Sequence, residues 1–372
     1  MSNVLITIEV KDNTTDNNLQ GLTMVLSHIG IPYIVRKTSC VTKDDIEWCD
    51  VCIANRPNSI YSQKIIGAAK ESGRFVVVAL DDDIINLPQN HPSYWKRKYV
   101  CKCLELADAL MSPNPLILED YCEKCHLRPV QTISFVQSEE IKAPHHLGDK
   151  IRVVYPAGRD HIELFNQYIK PFFDDFIREN LDRIEFTFIG LEPQLEESES
   201  VHLVKGMSYK DYQDYMNCHD FDIGLAPLHD TPFCARKYFA KYIEYSKYGI
   251  MGIYSDVRPY TFAVTNGYNG LLINGGQEHW LEALKRVISN PTIIAESVTY
   301  SQQDLRDKYS LGIAVQKTLD GCPELLNFHC KNNTNYRPSG FSVFIYLARD
   351  VITRVIYHLR HDGLRYIIKA LN

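Results

Sequence analysis

A chain of 372 residues is too long for one ordinary compact core and suits two domains of typical size. Its hydrophobic fraction of 45% and charged fraction of 23% are those of a globular protein, and a net charge of −6 excludes a general nucleic-acid binder, which needs a basic face to neutralise phosphates. The opening MSNVLITIEV has no positive n-region or long apolar core, no stretch reaches the roughly 18 apolar residues of a membrane span, and eleven cysteines, an odd count, fit a reducing cytosol; a cytoplasmic protein without a signal peptide is expected.

In chain order, VLITIE reads as a first strand and LQGLTMVLSHIG as a helix ending at Gly30. YIVRKT, VCIAN and FVVVAL follow as buried strands, with a helix over residues 60–72 closed by Gly73. DALMSP is a further strand, stopped by Pro113 and Pro115. The polar segment 138–150 carries Pro144 and Gly148 and reads as a linker. The pattern then restarts: IRVVYPAG is a strand and turn, residues 161–180 a helix bent at Pro171, and IEFTFIG a strand. VHLVKG, DIGLAPL and MGIYSD are further strands, separated by helices over 208–218 and about 236–248. Short buried strands alternating with helices predict βαβ units and parallel sheets, with a ligand held in the cleft between two such domains at the carboxyl ends of their strands.

No GxGxxG follows a strand and no GxxxxGK[ST] occurs, which removes the dinucleotide-binding dehydrogenases and the P-loop NTPases. Cys122-Glu-Lys-Cys125-His126 matches a c-type haem attachment pattern, a chemistry out of place in the cytosol. Adding Cys101 and Cys103 offers four zinc thiolates. However, KYVCKCLELADA reads as helical, where residues two apart point about 200° away from each other. Asp81-Asp82-Asp83 after an apolar strand is a pattern that can chelate a divalent cation with a diphosphate, or a solvated turn. Residues 331–372 carry seven Lys/Arg against two Asp/Glu, alternating with apolar residues at near-helical spacing; a solvated basic face, a helix crossing back onto the first domain and one lying on an anionic membrane are the open readings, the last two not exclusive.

The run 222–291 resembles the C-terminal donor domain of bacterial group 1 glycosyltransferases of the GT-B fold. There a strand of the type DIGLAPL leads through a loop into a helix of the form K-x-x-x-K-x-x-E-Y, matched by Lys237, Lys241, Glu244 and Tyr245. Ser255-Asp256 and the phrase from Asn266 to Leu272 follow in the same order. In the first half, ALDDDIINLPQNHP and ADALMSPNPLILEDY resemble segments of the family's acceptor domain, and AGRDHIELF resembles the opening of its donor domain. The resemblance covers roughly residues 50–320.

It implies two Rossmann-like domains facing across a cleft: an acceptor domain over 1–145, a donor domain over 150–320, and the basic helical tail 331–372. It implies a hexosyl transfer from a UDP- or GDP-linked sugar to a glycan or lipid-linked glycan of the cell envelope, without metal or cofactor and with retention. A nucleotide-sugar epimerase and a non-catalytic sugar-nucleotide-binding scaffold stay as alternatives. On the donor side, Lys237 at a helix start is expected to meet the diphosphate, with Gly158 and Arg159 after the first strand adding bare backbone and a second cation. Glu244, two helical turns after Lys237, takes the ribose hydroxyls by resemblance, and Lys241 supports either. A salt-bridged exposed helix face would produce the same trio. The resemblance places Gly206 and Tyr209 near the base; an ordinary helix start capped by Ser208 is the alternative reading of the same residues. Arg236 stands where the best-known family pattern has a second glutamate, which leaves Asp230 and the loop His229–Phe233 as candidates for the transferred sugar. His161 faces the cleft or begins its helix. The resemblance moves Asp81–Asp83 to the acceptor half, where Asp82 and His91 are the candidate groups.

Overall fold

The computed structural model describes residues 1–9, 13–89, 91, 93–158, 161–191 and 193–336, with residues 13–18 as backbone alone, and beyond these Ala348, Val351, Ile352, Val355, Ile356 and Leu359. Two compact units result: Met1–Ile133 with the chain from Ala314 onward, and Ser134–Ile313.

Unit 1 runs β1 (Val4–Ile8), α1 (Asn13–Ile29), β2 (Tyr33–Lys37), α2 (Lys43–Trp48), β3 (Val51–Asn55), α3 (Ile60–Glu71), β4 (Phe75–Ala79), α4 (Arg97–Leu106), β5 (Ala109–Ser112), α5 (Pro115–Cys125) and β6 (Arg128–Gln131). The sheet is parallel throughout, ordered β2-β1-β3-β4-β5-β6. Every residue of β1 and β3 is buried, because helices cover both faces of such a sheet. Gly73 closes α3 with φ +78°, a left-handed turn that a side chain rarely adopts. The strand β6 goes beyond the elements read from sequence. Its RPVQ has no apolar run, and its Pro129 is tolerated because the strand lies at the sheet's edge.

Unit 2 runs β7 (Ile151–Pro156), α6 (Ile162–Tyr168), α7 (Lys170–Glu179), β8 (Ile184–Ile189), β9 (Val201–Val204), α8 (Tyr209–Cys218), β10 (Ile223–Ala226), α9 (Pro232–Ala235), α10 (Ala240–Lys247), β11 (Met251–Ser255), β12 (Leu271–Ile273), α11 (Gln277–Ser289) and α12 (Thr292–Lys308). Its parallel sheet is ordered β12-β11-β10-β7-β8-β9. Both units are Rossmann-like, as the alternating pattern predicts. The bent helix expected over 161–180 is instead two helices, since Pro171 at the start of α7 cannot donate to the preceding turn. The core of unit 2 is aromatic: Phe165, Phe173, Phe176, Phe186, Phe188 and Trp280 are all buried.

The expected linker segment is fastened to unit 2. Lys142 donates its amide to the Lys247 carbonyl and receives Nε2 of Gln302 at its own carbonyl, both at 2.8 Å. His145 Nε2 lies 2.6 Å from Asp222 Oδ1. Burial opposes ionisation of Asp222, yet hydrogen bonds from His145 and Arg152 hold its carboxyl below the ordinary range.

The chain rejoins unit 1 within α13 (Leu311–Gly321) and continues through α14 (Glu324–Asn327). Cys322 and Leu325 enter the core of unit 1 beside Val4, Val51 and Val77. Gly321 is required at that junction, because a Cβ there would sit 2.9 Å from Val130 of β6. Glu324 takes both oxygens to Arg128 at 2.6 Å, and the Phe328 ring lies 6.0 Å from Phe75. The basic residues Arg349, Arg354, Arg360, Arg365 and Lys369 of the tail lie outside the described residues.

Candidate donor and acceptor sites

In a doubly wound sheet, a ligand crevice opens where neighbouring strands send their connections to opposite sides. In unit 2 that point lies between β7 and β10. The loops leaving β7, β8 and β9 approach there on bare backbone. Gly190 has φ +77°; a Cβ on it would stand 2.9 Å from the Ala157 carbonyl, and Gly206 Cα lies 3.8 Å away. Gly158 follows Ala157 and accepts the His161 amide at 3.0 Å. His161 immediately precedes α6, and Arg159 lies outside the described residues.

From β10 the chain enters the loop 227–231. The amide of Leu228 donates to Ser255 Oγ at 2.8 Å, tying this loop to the end of β11. The His229 ring lies 6.1 Å from Tyr168, whose ring lies 6.1 Å from the buried Trp280, and Asp230 is exposed beside it. Thr231 caps α9, accepting the Cys234 amide at 3.1 Å.

The single helix expected over 236–248 is broken. α9 ends at Ala235, Arg236 and Lys237 sit in the following turn, and α10 begins only at Ala240. The break lets Phe239 turn inward, 5.7 Å from Tyr309 and 6.3 Å from Tyr242 between ring centres. Lys237 is therefore not on the helix of Glu244, and the two do not share a helical face. Its amide donates to the Cys234 carbonyl at 3.1 Å and its ammonium stands 5.5 Å from the Phe233 ring centre.

Lys241 and Glu244 do share a face of α10, with Nζ 2.8 Å from Oε2. The other oxygen of Glu244 accepts the hydroxyl of Tyr212, from the first turn of α8. Ser208 caps α8 through the Asp211 amide, so the cap role is real, while Tyr209 beside it stays partly exposed. Burial, then the charge of Glu244, push up the hydroxyls of both Tyr209 and Tyr212. Sequence reasoning found Tyr209 and missed Tyr212; its signal was the i, i+3 spacing after the cap, which puts both rings on one side of the helix.

Behind α10 lies a buried brace. Tyr242 donates to Asp304 at 2.8 Å, and Asn269 Nδ2 reaches both Tyr242 Oη (2.9 Å) and Asp304 (2.7 Å). Tyr245 donates to the Leu225 carbonyl at 2.7 Å, its ring lying over Gly224, where a Cβ would meet it at 2.5 Å. Part of the phrase from Asn266 to Leu272 thus holds α10 in place from the core side.

In unit 1 the aspartates follow β4. Asp81 and Asp82 both pair with Arg56, at 3.1 and 3.2 Å. Arg56 itself adopts φ +50° just after β3 and was not singled out from sequence. Asp83 is buried and accepts from Tyr121 Oη (2.6 Å), the Asn86 amide (3.1 Å) and Asn86 Nδ2 (2.8 Å). His91, in the same loop, is exposed and accepts the Ser93 amide at Nδ1. Cys101 and Cys103 lie on α4, as expected, and no group of three or more His, Cys, Asp or Glu among the described residues is arranged to hold a metal ion.

No protein-family model matches the chain, and no curated protein does either. Solved structures are similar in fold. Sucrose-phosphate synthase of Thermosynechococcus elongatus superposes with a TM-score of 0.62 at 11% identity, over 87% of this chain and 99% of that one. Anabaena HepE, solved with UDP-glucose, gives 0.60 at 12% identity, over 87% and 100%. A candidate UDP-N-acetylglucosamine 2-epimerase from Listeria monocytogenes gives 0.55 at 11% identity, over 90% and 99%. The chain has the two-domain α/β architecture of the GT-B fold.

Proposed function

We propose that this protein is a glycosyltransferase that moves a hexose from a UDP- or GDP-linked donor to a glycan or lipid-linked glycan, with unit 2 holding the donor. The observation that carries this is the Glu244 carboxylate, held between Tyr212 and Lys241 on helices that leave the carboxyl ends of β9 and β10. A carboxylate so placed can accept from vicinal ribose hydroxyls. The HepE complex with UDP-glucose and sucrose-phosphate synthase, both of this fold, support a nucleotide-sugar donor.

Transfer needs a stabilised diphosphate leaving group, and fixed positive charge can supply it without metal. In our reading that charge comes from Lys237 and Lys241, with the backbone around Gly158 and the start of α10, where Phe239 at the N-cap offers no side-chain acceptor. Gly206 and Tyr209 border the base, and Asp230 reaches the transferred sugar. Attack proceeds with retention, assisted by the leaving group. The pairing of Asp81 and Asp82 with Arg56, and of Asp83 with Tyr121 and Asn86, supports a metal-free reaction and leaves Asp82 and His91 as acceptor-side groups. No helix among the described residues is long and apolar enough to cross a membrane. Peripheral contact at the cytoplasmic face, through the basic tail, fits the exposure of Val351, Ile352, Val355, Ile356 and Leu359.

The test is a thermal-shift panel of UDP, GDP, CDP, ADP and their common sugars, each with and without EDTA. A ligand at about 100 times its dissociation constant stabilises the fold by about 2.7 kcal/mol. An EDTA-insensitive shift by the UDP or GDP family is expected. No shift from any nucleotide contradicts the donor site, and a shift abolished by EDTA contradicts the metal-free mechanism.

A further inference from the structure

We infer that Tyr212 is a positioning residue that aims Glu244 at the ribose and, with it, makes the site discriminate ribonucleotides from deoxyribonucleotides; this rests on the donor reading above. The argument begins with the two holds on the Glu244 carboxylate. Lys241 grips Oε2 from the same helix, three residues earlier, and so moves with α10. Tyr212 grips Oε1 from α8, thirty-two residues earlier in the chain and following a different strand. Of these two contacts, that of Tyr212 fixes the carboxylate relative to another element of the unit.

A glutamate side chain has three rotatable bonds, and ordering it on ligand binding costs affinity. The Tyr212 hydroxyl supplies that order in advance. Its pKa is driven well above the ordinary phenol value, by burial and then by Glu244, so it remains a donor at any pH the protein meets. A carboxylate offers about four lone-pair positions, and two are occupied by Tyr212 and Lys241. The remaining ones accept hydroxyls. The Tyr212 oxygen, while donating to Glu244, keeps lone pairs that can accept a neighbouring hydroxyl. Two acceptors locked side by side match a vicinal diol, and a site built to bond a hydroxyl penalises the analogue that lacks it.

The experiment is calorimetric titration of UDP and 2′-deoxy-UDP, with GDP and 2′-deoxy-GDP as the second pair, into the full chain and into Tyr212→Phe. That substitution removes one oxygen and keeps the ring. The unaltered protein is expected to bind the deoxy form about tenfold more weakly. Tyr212→Phe is expected to weaken the ribose form about tenfold and to bring the two forms within about threefold of each other. A purely structural role would weaken both forms equally and preserve their ratio, which overturns the inference, as does binding identical to that of the unaltered protein. Failure of the unaltered protein to bind either ribonucleotide overturns the donor reading itself, and this inference with it.

Discussion

Lys237→Ala is expected to lower the turnover number for sugar transfer by about a hundred- to a thousandfold, with the melting temperature unchanged. The magnitude is that of removing one fixed donor from a site where charge develops in the transition state. The geometry explains why the fold should tolerate it. Lys237 lies in the turn between α9 and α10, outside both helices, and its backbone amide donates to Cys234. Its aliphatic stem and ammonium lie near Phe233, a contact of modest value at a partly exposed position. Steady-state kinetics separates the outcomes. A fall in kcat with little change in KM marks a group that acts on the leaving diphosphate, and partial recovery in Lys237→Arg marks charge as the property that matters. Near-normal turnover in Lys237→Ala removes this residue from the site.

Arg74→Met is expected to destabilise unit 1 by about 3 kcal/mol or more, because it strands several buried acceptors at once. Arg74 is 2% exposed. Its Nε donates to the carbonyls of Ile46 (3.0 Å) and Cys49 (3.1 Å), one terminal nitrogen to Glu47 (3.1 Å), and the other to Ser72 (2.7 Å) and Asn332. The last contact gathers the returning segment, which Asp50 also holds through the Cys330 amide and Glu47 through the Thr334 amide. Methionine keeps much of the stem and none of the donors. Urea unfolding should show the loss, and limited proteolysis should cut near residues 328–336 faster than in the unaltered protein. A change below about 1 kcal/mol contradicts this account of the segment.

The strands inside each sheet were legible because burial on both faces leaves uninterrupted apolar runs such as VLITI and FVVVA. Of the edge strands, β2 and β9 were read from YIVRKT and VHLVKG, whereas β6 and β12 were not. RPVQ in β6 and LLI in β12 are short and need cover on fewer sides, so their sequences lack that signature. Propensity alone continued a helix through 236–239, whereas burial of the Phe239 ring in a cluster with Tyr242 and Tyr309 stopped it. This is a tertiary contact with no local trace. Polarity marked 138–150 as a linker, but gave no sign that its groups bond to Lys247, Gln302 and Asp222.

The candidate site divides in the same way. Lys241 and Glu244 are visible in sequence because helix neighbours recur at three and four residues. The hydroxyl of Tyr212 reaches Glu244 across 32 residues, and Arg56 meets Asp81 and Asp82 across two strands; neither follows from periodicity. The role of Asn269 as a brace for Tyr242 and Asp304 was likewise hidden inside a phrase known only by resemblance.

The fold is shared by sucrose-phosphate synthase and a candidate epimerase, so it does not by itself choose between transfer and isomerisation. Proton NMR of the protein incubated with the nucleotide sugar that stabilises it most, together with a glycan-lipid extract, makes that choice directly. The account predicts release of the nucleoside diphosphate and appearance of a glycoside with the donor's own anomeric configuration. An intact nucleotide carrying an epimerised sugar, or a donor that binds and never turns over, would contradict it.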